Sequence, residues 1–289
     1  MQHIVDLVEK LDLKEGYTQT LMPQIGLFKD SHPHGRAPFL YHQGIIFVFQ
    51  GAKKVYSDDL VLEYDHTKYL VLTVPLPLEC EASIEPGKPL YALVLDIDIP
   101  TLNSIIHLMG NSVDFGKFKA CEKDCGLYTS DLVPELKDTL HRLIKILQSP
   151  METLILGDGI TRELIFQLLK GDKAAPLYAL AMRNTNLSKI EVALNEIHGK
   201  YNSAIDVDAL AKTVNMSVSS FHHTFKEVTS SSPIQYLKKI RLVKARAFIT
   251  ESGLRVNEAA RKVGYESVSQ FSREFKRYHG ASPKDFFLG

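Results

Sequence analysis

The chain has 289 residues, 45% hydrophobic and 24% charged, an ordinary soluble composition with apolar content for more than one core. Its 34 basic and 34 acidic side chains cancel, yet residues 1–185 carry 18 basic against 24 acidic and residues 186–289 carry 16 against 10, so a polyanionic partner is expected at the back half only. Three cysteines are too few for a disulfide framework, no apolar run approaches the ~18 residues that span a bilayer, and the opening MQHIVDLVEKLDLKEG lacks the basic region of a signal peptide; a cytoplasmic location without membrane contact is expected.

From residue 40 to 100 short β-forming runs alternate with turn signals. Ile45–Phe49, Val55–Tyr56, Leu60–Tyr64, Tyr69–Val74 and Leu90–Asp96 are the candidate strands. Their spacing predicts a small antiparallel barrel or jelly roll. Phe47, Phe49, Tyr64 and Tyr91 are the candidates to line it and bind a small-molecule effector, with the inward face set only to within one residue.

His32-Pro33-His34 invites comparison with the His-x-His of metal-binding cupin enzymes. Those add a glutamate four residues on and a later strand histidine, whereas Pro38 stands at the first of these positions here. His32, His34 and His42 are therefore read as loop residues, and no metal or other cofactor is expected. After Ile99 the period changes. Pro100–Gly110, Leu132–Gln148 and Thr153–Lys170 predict helices. Leu136, Leu140, Leu143, Ile144 and Leu147 form one apolar stripe, and Leu164, Ile165, Leu168 and Leu169 a second. Such a hairpin either bundles with a second copy, the reading taken here, or covers its own barrel. Cys121 and Cys125 lack the further ligands of a zinc site, leaving a redox pair or an ordinary loop. No nucleophile–base constellation and no Gly-rich phosphate loop suggests an enzyme.

The last eighty residues contain an internal repeat. SVSSFHHTFKEVTSSSP from Ser217 and SVSQFSREFKRYHGASP from Ser267 match at an offset of 50, and Ala211–Val214 matches Ala260–Val263 at 49. Each copy reads as helix, turn, helix. In the first, Asp206 caps a helix buried through Val207, Leu210, Ala211 and Val214; Asn215-Met216 turns, and Ser217 caps a helix buried through Phe221, Phe225 and Val228. In the second, a helix starting near Asn257 buries Val256, Ala259, Ala260 and Val263. Gly264 turns, and Ser267 with Gln270 forms a capping box for a helix buried through Phe271, Phe275 and Tyr278. Between the copies Ser232 and Pro233 start a rod with Ile234, Leu237, Ile240, Ala245 and Phe248 inward, ended by Gly253. About 18 residues make about 27 Å, a rod that holds two reading helices ~34 Å apart, one DNA turn. The second helix of each copy exposes Ser, His, Arg, Lys and Gln, donors suited to phosphates and base edges.

Residues from about 190 to 286 resemble the DNA-binding domain of the AraC/XylS family of bacterial regulators. The resemblance rests on Leu210-Ala211, Met216-Ser217, Phe221, Phe225-Lys226, Ser232-Pro233, Tyr236, Arg241-Leu242, Ala245-Arg246, Ala259-Ala260, Ser282-Pro283 and above all on VGYESVSQFSREFKRYHGASP from Val263. It implies base contacts from Ser219, His222 and His223 in the first copy and from Val268, Ser269, Ser272 and Arg273 in the second. Phosphate contacts are implied for Lys226, Lys276, Arg277 and the backbone N–H groups at Ser217 and Ser267. His222-His223 stands where the family often has arginine. The front half is similar to a subgroup with a cupin-like barrel followed by helices, through Tyr41-His42-Gln43-Gly44, Phe49-Gln50-Gly51-Ala52-Lys53, Tyr64, Tyr69-Leu70, Leu76-Pro77, Arg162-Glu163 and Leu168-Leu169.

The expectation is an α+β chain: a cupin-like antiparallel β-barrel over 1–110 that senses an effector, a helical dimerisation and linker region over 111–185, and an all-α double helix-turn-helix domain over 186–289 that folds alone. It is expected to be a sequence-specific transcription regulator, not an enzyme. The partners expected are double-stranded DNA, a small-molecule effector, RNA polymerase and a second copy. The competing readings are a metal-dependent cupin enzyme fused to a DNA-binding module and a nucleoid-type binder without sequence preference.

Overall fold

The computed structural model describes residues 1–57, 60–110, 126–182 and 185–287. Cys121 and Cys125 lie outside the described residues. The front half is an antiparallel sheet of ten strands: β1 (Gly16–Gln19), β2 (Ile25–Asp30), β3 (His34–Tyr41), β4 (Gly44–Gln50), β5 (Ala52–Ser57), β6 (Leu60–Asp65), β7 (Lys68–Leu72), β8 (Leu76–Ser83), β9 (Leu90–Asp96) and β10 (Leu127–Asp131). The order is β1-β2-β9-β4-β7-β6-β5-β8-β3, with β10 also on β7. His34 opens β3 rather than lying in a loop.

Helices α1 (Gln2–Glu9), α2 (Ile99–Met109), α3 (Pro134–Ile146), α4 (Pro150–Leu169) and α5 (Ala175–Ala181) cover one face of the sheet. Ile25, Leu27, Ile45, Phe47, Phe49, Val71, Tyr91, Leu93 and Leu95 meet Leu136, Leu140, Leu143, Ile144, Leu164 and Leu168 there in one apolar core. The stripes of the predicted helical hairpin are thus spent on the protein's own sheet. A separate surface remains: Met151, Leu154 and Ile155 on α4 are 71–75% exposed, and Leu108 on α2 is 74% exposed.

The back half is all helical: α6 (Asn186–Gly199), α7 (Val207–Thr213), α8 (Val218–Thr229), α9 (Pro233–Thr250), α10 (Val256–Lys262), α11 (Val268–His279) and α12 (Pro283–Phe287). α7–α8 and α10–α11 are the two helix-turn-helix units and α9 is the rod between them. Ser217, Ser232 and Ser267 each accept a hydrogen bond from the backbone N–H three residues on. The capping box expected at Ser267 is only half made, because the Gln270 amide turns forward to Glu274 at 3.1 Å. The other half of such a box occurs at Arg255, whose backbone N–H donates to the Glu258 carboxylate at 3.0 Å. Gly264 turns at φ +86, and a Cβ there would stand 2.3 Å from the Asn202 carbonyl. Asn215 makes the equivalent turn in the first unit at φ +54. On α9 the expected core residue Ile234 is 42% exposed, and Tyr236 is the fully buried anchor.

The two units are cored differently. Phe271, Phe275, Ala259, Ala260 and Val263 pack with Leu242, Ala245 and Ile249 as a separate cluster. Phe221, Phe225, Leu210 and Tyr236 belong to the same core as Val48, Val74, Leu76 and Leu90 of the barrel. The first unit is therefore built onto the front half.

Candidate nucleic-acid interface and ligand cavity

α8 and α11 repeat the same geometry. Phe221 and Phe225 on one, Phe271 and Phe275 on the other, are fully buried, and this fixes which face each helix turns outward. On α8 the outward set is Ser219, His222, His223 and Lys226, with Ser217 exposed at its start. On α11 it is Ser269, Arg273, Lys276 and Arg277 after exposed Ser267, while Val268 and Ser272 are half-buried. The acidic residues on these helices are engaged. Glu227 lies 3.3 Å from His223. Glu274 accepts from the Tyr265 hydroxyl at 2.7 Å and faces Lys238 at 3.6 Å. Arg241 is also taken, donating to the Tyr201 and Ser203 carbonyls at 2.7 and 2.9 Å. Lys226 lies in the last turn of α8 and Lys276 and Arg277 in the last turn of α11; with the exposed helix starts at Ser217 and Ser267, these outward cations suit an anionic backbone.

The first unit is tied to the barrel at Tyr236. Its hydroxyl donates to the Pro75 carbonyl at 2.7 Å. That uses its one proton, so His198, with Nε2 at 2.8 Å, must be the second donor, which fixes its Nε2–H tautomer. Burial, then the nearby charges of Lys244 and His42, pull the His198 imidazole down to about 4. His279 in the second unit donates to the Leu242 carbonyl at 3.1 Å, and burial pulls it down to about 4 as well. Gly126, beside β10, comes so close to the Val228 carbonyl that a Cβ would sit 2.2 Å from it.

Inside the barrel lies a cavity of about 650 Å³. Phe28, Phe39, Tyr41, Ile46, Lys53 and Val94 form its walls, and His42, Gln43, Pro75 and Asp96 also line it. None of the four aromatics expected to bind effector lines this space. Phe47, Phe49 and Tyr91 point to the opposite face, under the helices. A shift of one residue along β4 or β9 exchanges the helix-facing and cavity-facing sets, because alternation sends successive side chains to opposite faces. Tyr64 does lie on the barrel side, fully buried, its hydroxyl 3.1 Å from that of Tyr41; it backs the wall rather than forming it. Sequence reasoning missed Lys53, Ile46 and Val94. The signal available was Gly51-Ala52-Lys53, a lysine at the start of an otherwise half-buried strand. Among the described residues, the one group of three metal-type donors is Glu15, Asp30 and His32 at the surface, where Glu15 already accepts from the Ser31 backbone N–H at 3.0 Å.

A barrel with an internal cavity joined to a paired helix-turn-helix reader is the architecture of a sensor and a DNA reader on one chain. Residues 21–176 match the family model of the AraC-type transcriptional regulator N-terminus, and 210–288 match that of a helix-turn-helix domain. The chain belongs to the AraC family of transcriptional regulators. It is 30% identical over 144 residues to the raffinose operon transcriptional regulatory protein RafR of Pediococcus pentosaceus, covering 50% of each chain. It is 25% identical over 158 residues to the transcriptional activator RhaS of Escherichia coli, covering 52% of this chain and 54% of RhaS. The chain thus spans about half the length of the relatives it matches. In fold it is similar to ToxT of Vibrio cholerae, solved with an unsaturated fatty acid bound: TM-score 0.61 at 14% identity, covering 96% of this chain and 97% of that one. These relatives bear the names of regulators, and the metal-dependent enzyme reading finds no counterpart among them.

Proposed function

We propose that the protein is a sequence-specific DNA-binding transcription regulator that reads two successive major grooves with α8 and α11. The observation that carries this is the repeated outward presentation of matching positions on two helices joined by one rod. Ser219, His222 and His223, with Ser269 and Arg273, reach base edges. Lys226, Lys276, Arg277 and the N-termini at Ser217 and Ser267 hold phosphates, with Val268 and Ser272 at the groove wall. Selection from a random duplex library supplies the site. Arg273→Ala then costs about 1–3 kcal/mol and relaxes one position of it, whereas Lys276→Ala weakens all sequences alike and lowers the salt slope by about one. Equal binding to selected and random duplexes would leave only a nucleoid-type binder.

The barrel cavity is the effector site in this reading, and a small molecule there alters DNA binding. RafR is named for a sugar operon and ToxT was solved with a fatty acid, so relatives and neighbours point to different ligands. The protein works in the cytoplasm beside RNA polymerase; no described helix is long and apolar enough to cross a membrane. Met151, Leu154 and Ile155 pair with the same surface of a second copy, since an exposed apolar stripe of this kind is uncommon on a monomer. Leu154→Glu with Ile155→Glu is expected to convert the dimer to a monomer in sedimentation without lowering the melting temperature.

A further inference from the structure

The cavity walls are hydrocarbon and aromatic along most of their length, with one charge inside. Lys53 enters from β5 and is 8% exposed. Among the described residues no carboxylate stands within ion-pair distance of its Nζ and no acceptor takes a hydrogen bond from it. Its ammonium rests over the Phe28 ring at 4.7 Å, and Cys80 and Asp30 act on it only through space. An ammonium withdrawn from water without a counter-ion is costly, and burial accordingly pulls this amine below its usual range. A ligand anion would remove that cost.

The sheet register gives the cavity a direction. Ala92 is paired with Phe28, and Asp96 with Gly44; all four line the cavity. Four residues of strand separate the two levels, about 13 Å. Lys53 marks the inner level, and Asp96 with His42 and Gln43 the outer one. Ile46 and Val94 lie between. A sugar of the cavity's length would leave hydroxyls against these apolar walls without partners. Asp96 at the outer level repels an anionic head and leaves Lys53 as its destination.

We propose that the cavity binds an organic anion with an apolar body, a monocarboxylate whose head meets the Lys53 ammonium and whose hydrocarbon or aromatic tail lies along Ile46 and Val94. The assignment rests on the reading of this cavity as the effector site. The full-length protein is titrated calorimetrically with decanoate, decanol and raffinose, alongside Lys53→Met and Lys53→Arg. Decanoate should bind the wild type at least about tenfold tighter than decanol, a difference of about 1.4 kcal/mol, and raffinose should not compete. Lys53→Met should bind both chains equally, and Lys53→Arg should keep the preference for decanoate. Without ligand, Lys53→Met should melt no lower than the wild type, because it removes an unpaired buried charge. Equal binding of decanoate and decanol by the wild type, or an undiminished preference in a folded Lys53→Met, overturns the proposal. Decanoate bound through Lys53 with no change in affinity for the selected duplex sinks the effector reading and leaves the anion site standing. Raffinose that changes DNA affinity while decanoate shows no preference over decanol does the reverse.

Discussion

His198 and His279 hold their protons loosely for the same reason: each ring is buried, donates one N–H to an oxygen and has a cation near it, Lys244 for His198 and Arg246 for His279. Both sit at about 4 in the folded chain, against an ordinary value near ~6.5. Between these values the unfolded chain binds more protons than the folded one. Stability therefore rises with pH across that window and falls as pH drops through it. Each histidine should cost about 2 kcal/mol between pH 7 and pH 5. Urea melts of the wild type and of His198→Gln and His279→Gln at the two pH values check this; a pH dependence unchanged in both variants would remove the rings from the explanation. Much at this scale was legible beforehand. Ser217, Ser232 and Ser267 announce helix starts because their oxygens match N–H groups that every helix leaves free. Gly264 announces a turn because no side chain tolerates both its φ and the Asn202 carbonyl beside it. Phe47 and Phe49 on β4 and Tyr91 on β9 face the helices rather than the cavity, and the sequence does not separate the two faces because both strands are covered on both, by helices on one side and barrel on the other. Such a strand reads as an unbroken apolar run with no polar beat to mark its faces.

α9 is the element on which the rest of the helical half depends. It packs Tyr236, Leu237 and Ile240 into the core shared with the barrel and Leu242, Ala245 and Ile249 into the second unit's own core. Tyr236→Phe keeps the ring but leaves the Pro75 carbonyl and the His198 N–H without their buried partner, at about 1–3 kcal/mol. Amide exchange should then quicken across α8 in the full chain and stay unchanged across α11; equal changes in both would mean that the rod transmits the disturbance to its far end. Five strands, β1, β2, β3, β8 and β10, are not among those the sequence pattern predicts, and for β3 and β8 the reason is physical. Pro77 reads as a break, yet it lies beyond the stretch of β8 that pairs with β5, and Pro38 lies on β3 at the end of the sheet order. Proline is tolerated where a ladder has no neighbour to satisfy. The helical pair α3–α4 was found in its place, but its stripes fitted either a partner or the sheet, and only tertiary packing decided for the sheet.

At the scale of the whole molecule, the front and back halves differ in charge but share a core, and periodicity along the chain carries no information about that sharing. Leu187, Ile190, Ala193 and Leu194 of α6 meet the same cluster as Val74 and Leu76. A fragment spanning 186–289 loses the barrel side of this cluster and the Pro75 carbonyl, while the second unit loses nothing from its separate core. The fragment should therefore melt in two steps, the first unit giving way at lower urea, whereas the full chain keeps α8 protected to the end. A single transition for the fragment, with α8 as protected as α11, would show that the first unit is self-sufficient.

The asymmetry of the two cores also sets an order of assembly during synthesis. A ribosome releases Val74, Leu76 and Leu180 before the helices that lean on them, and domains made first fold first. The first reader closes on a template already in place; the second closes on itself after the rod has emerged. A nascent chain halted at the end of α9 would carry the first helix-turn-helix unit docked on the barrel and the second still unmade.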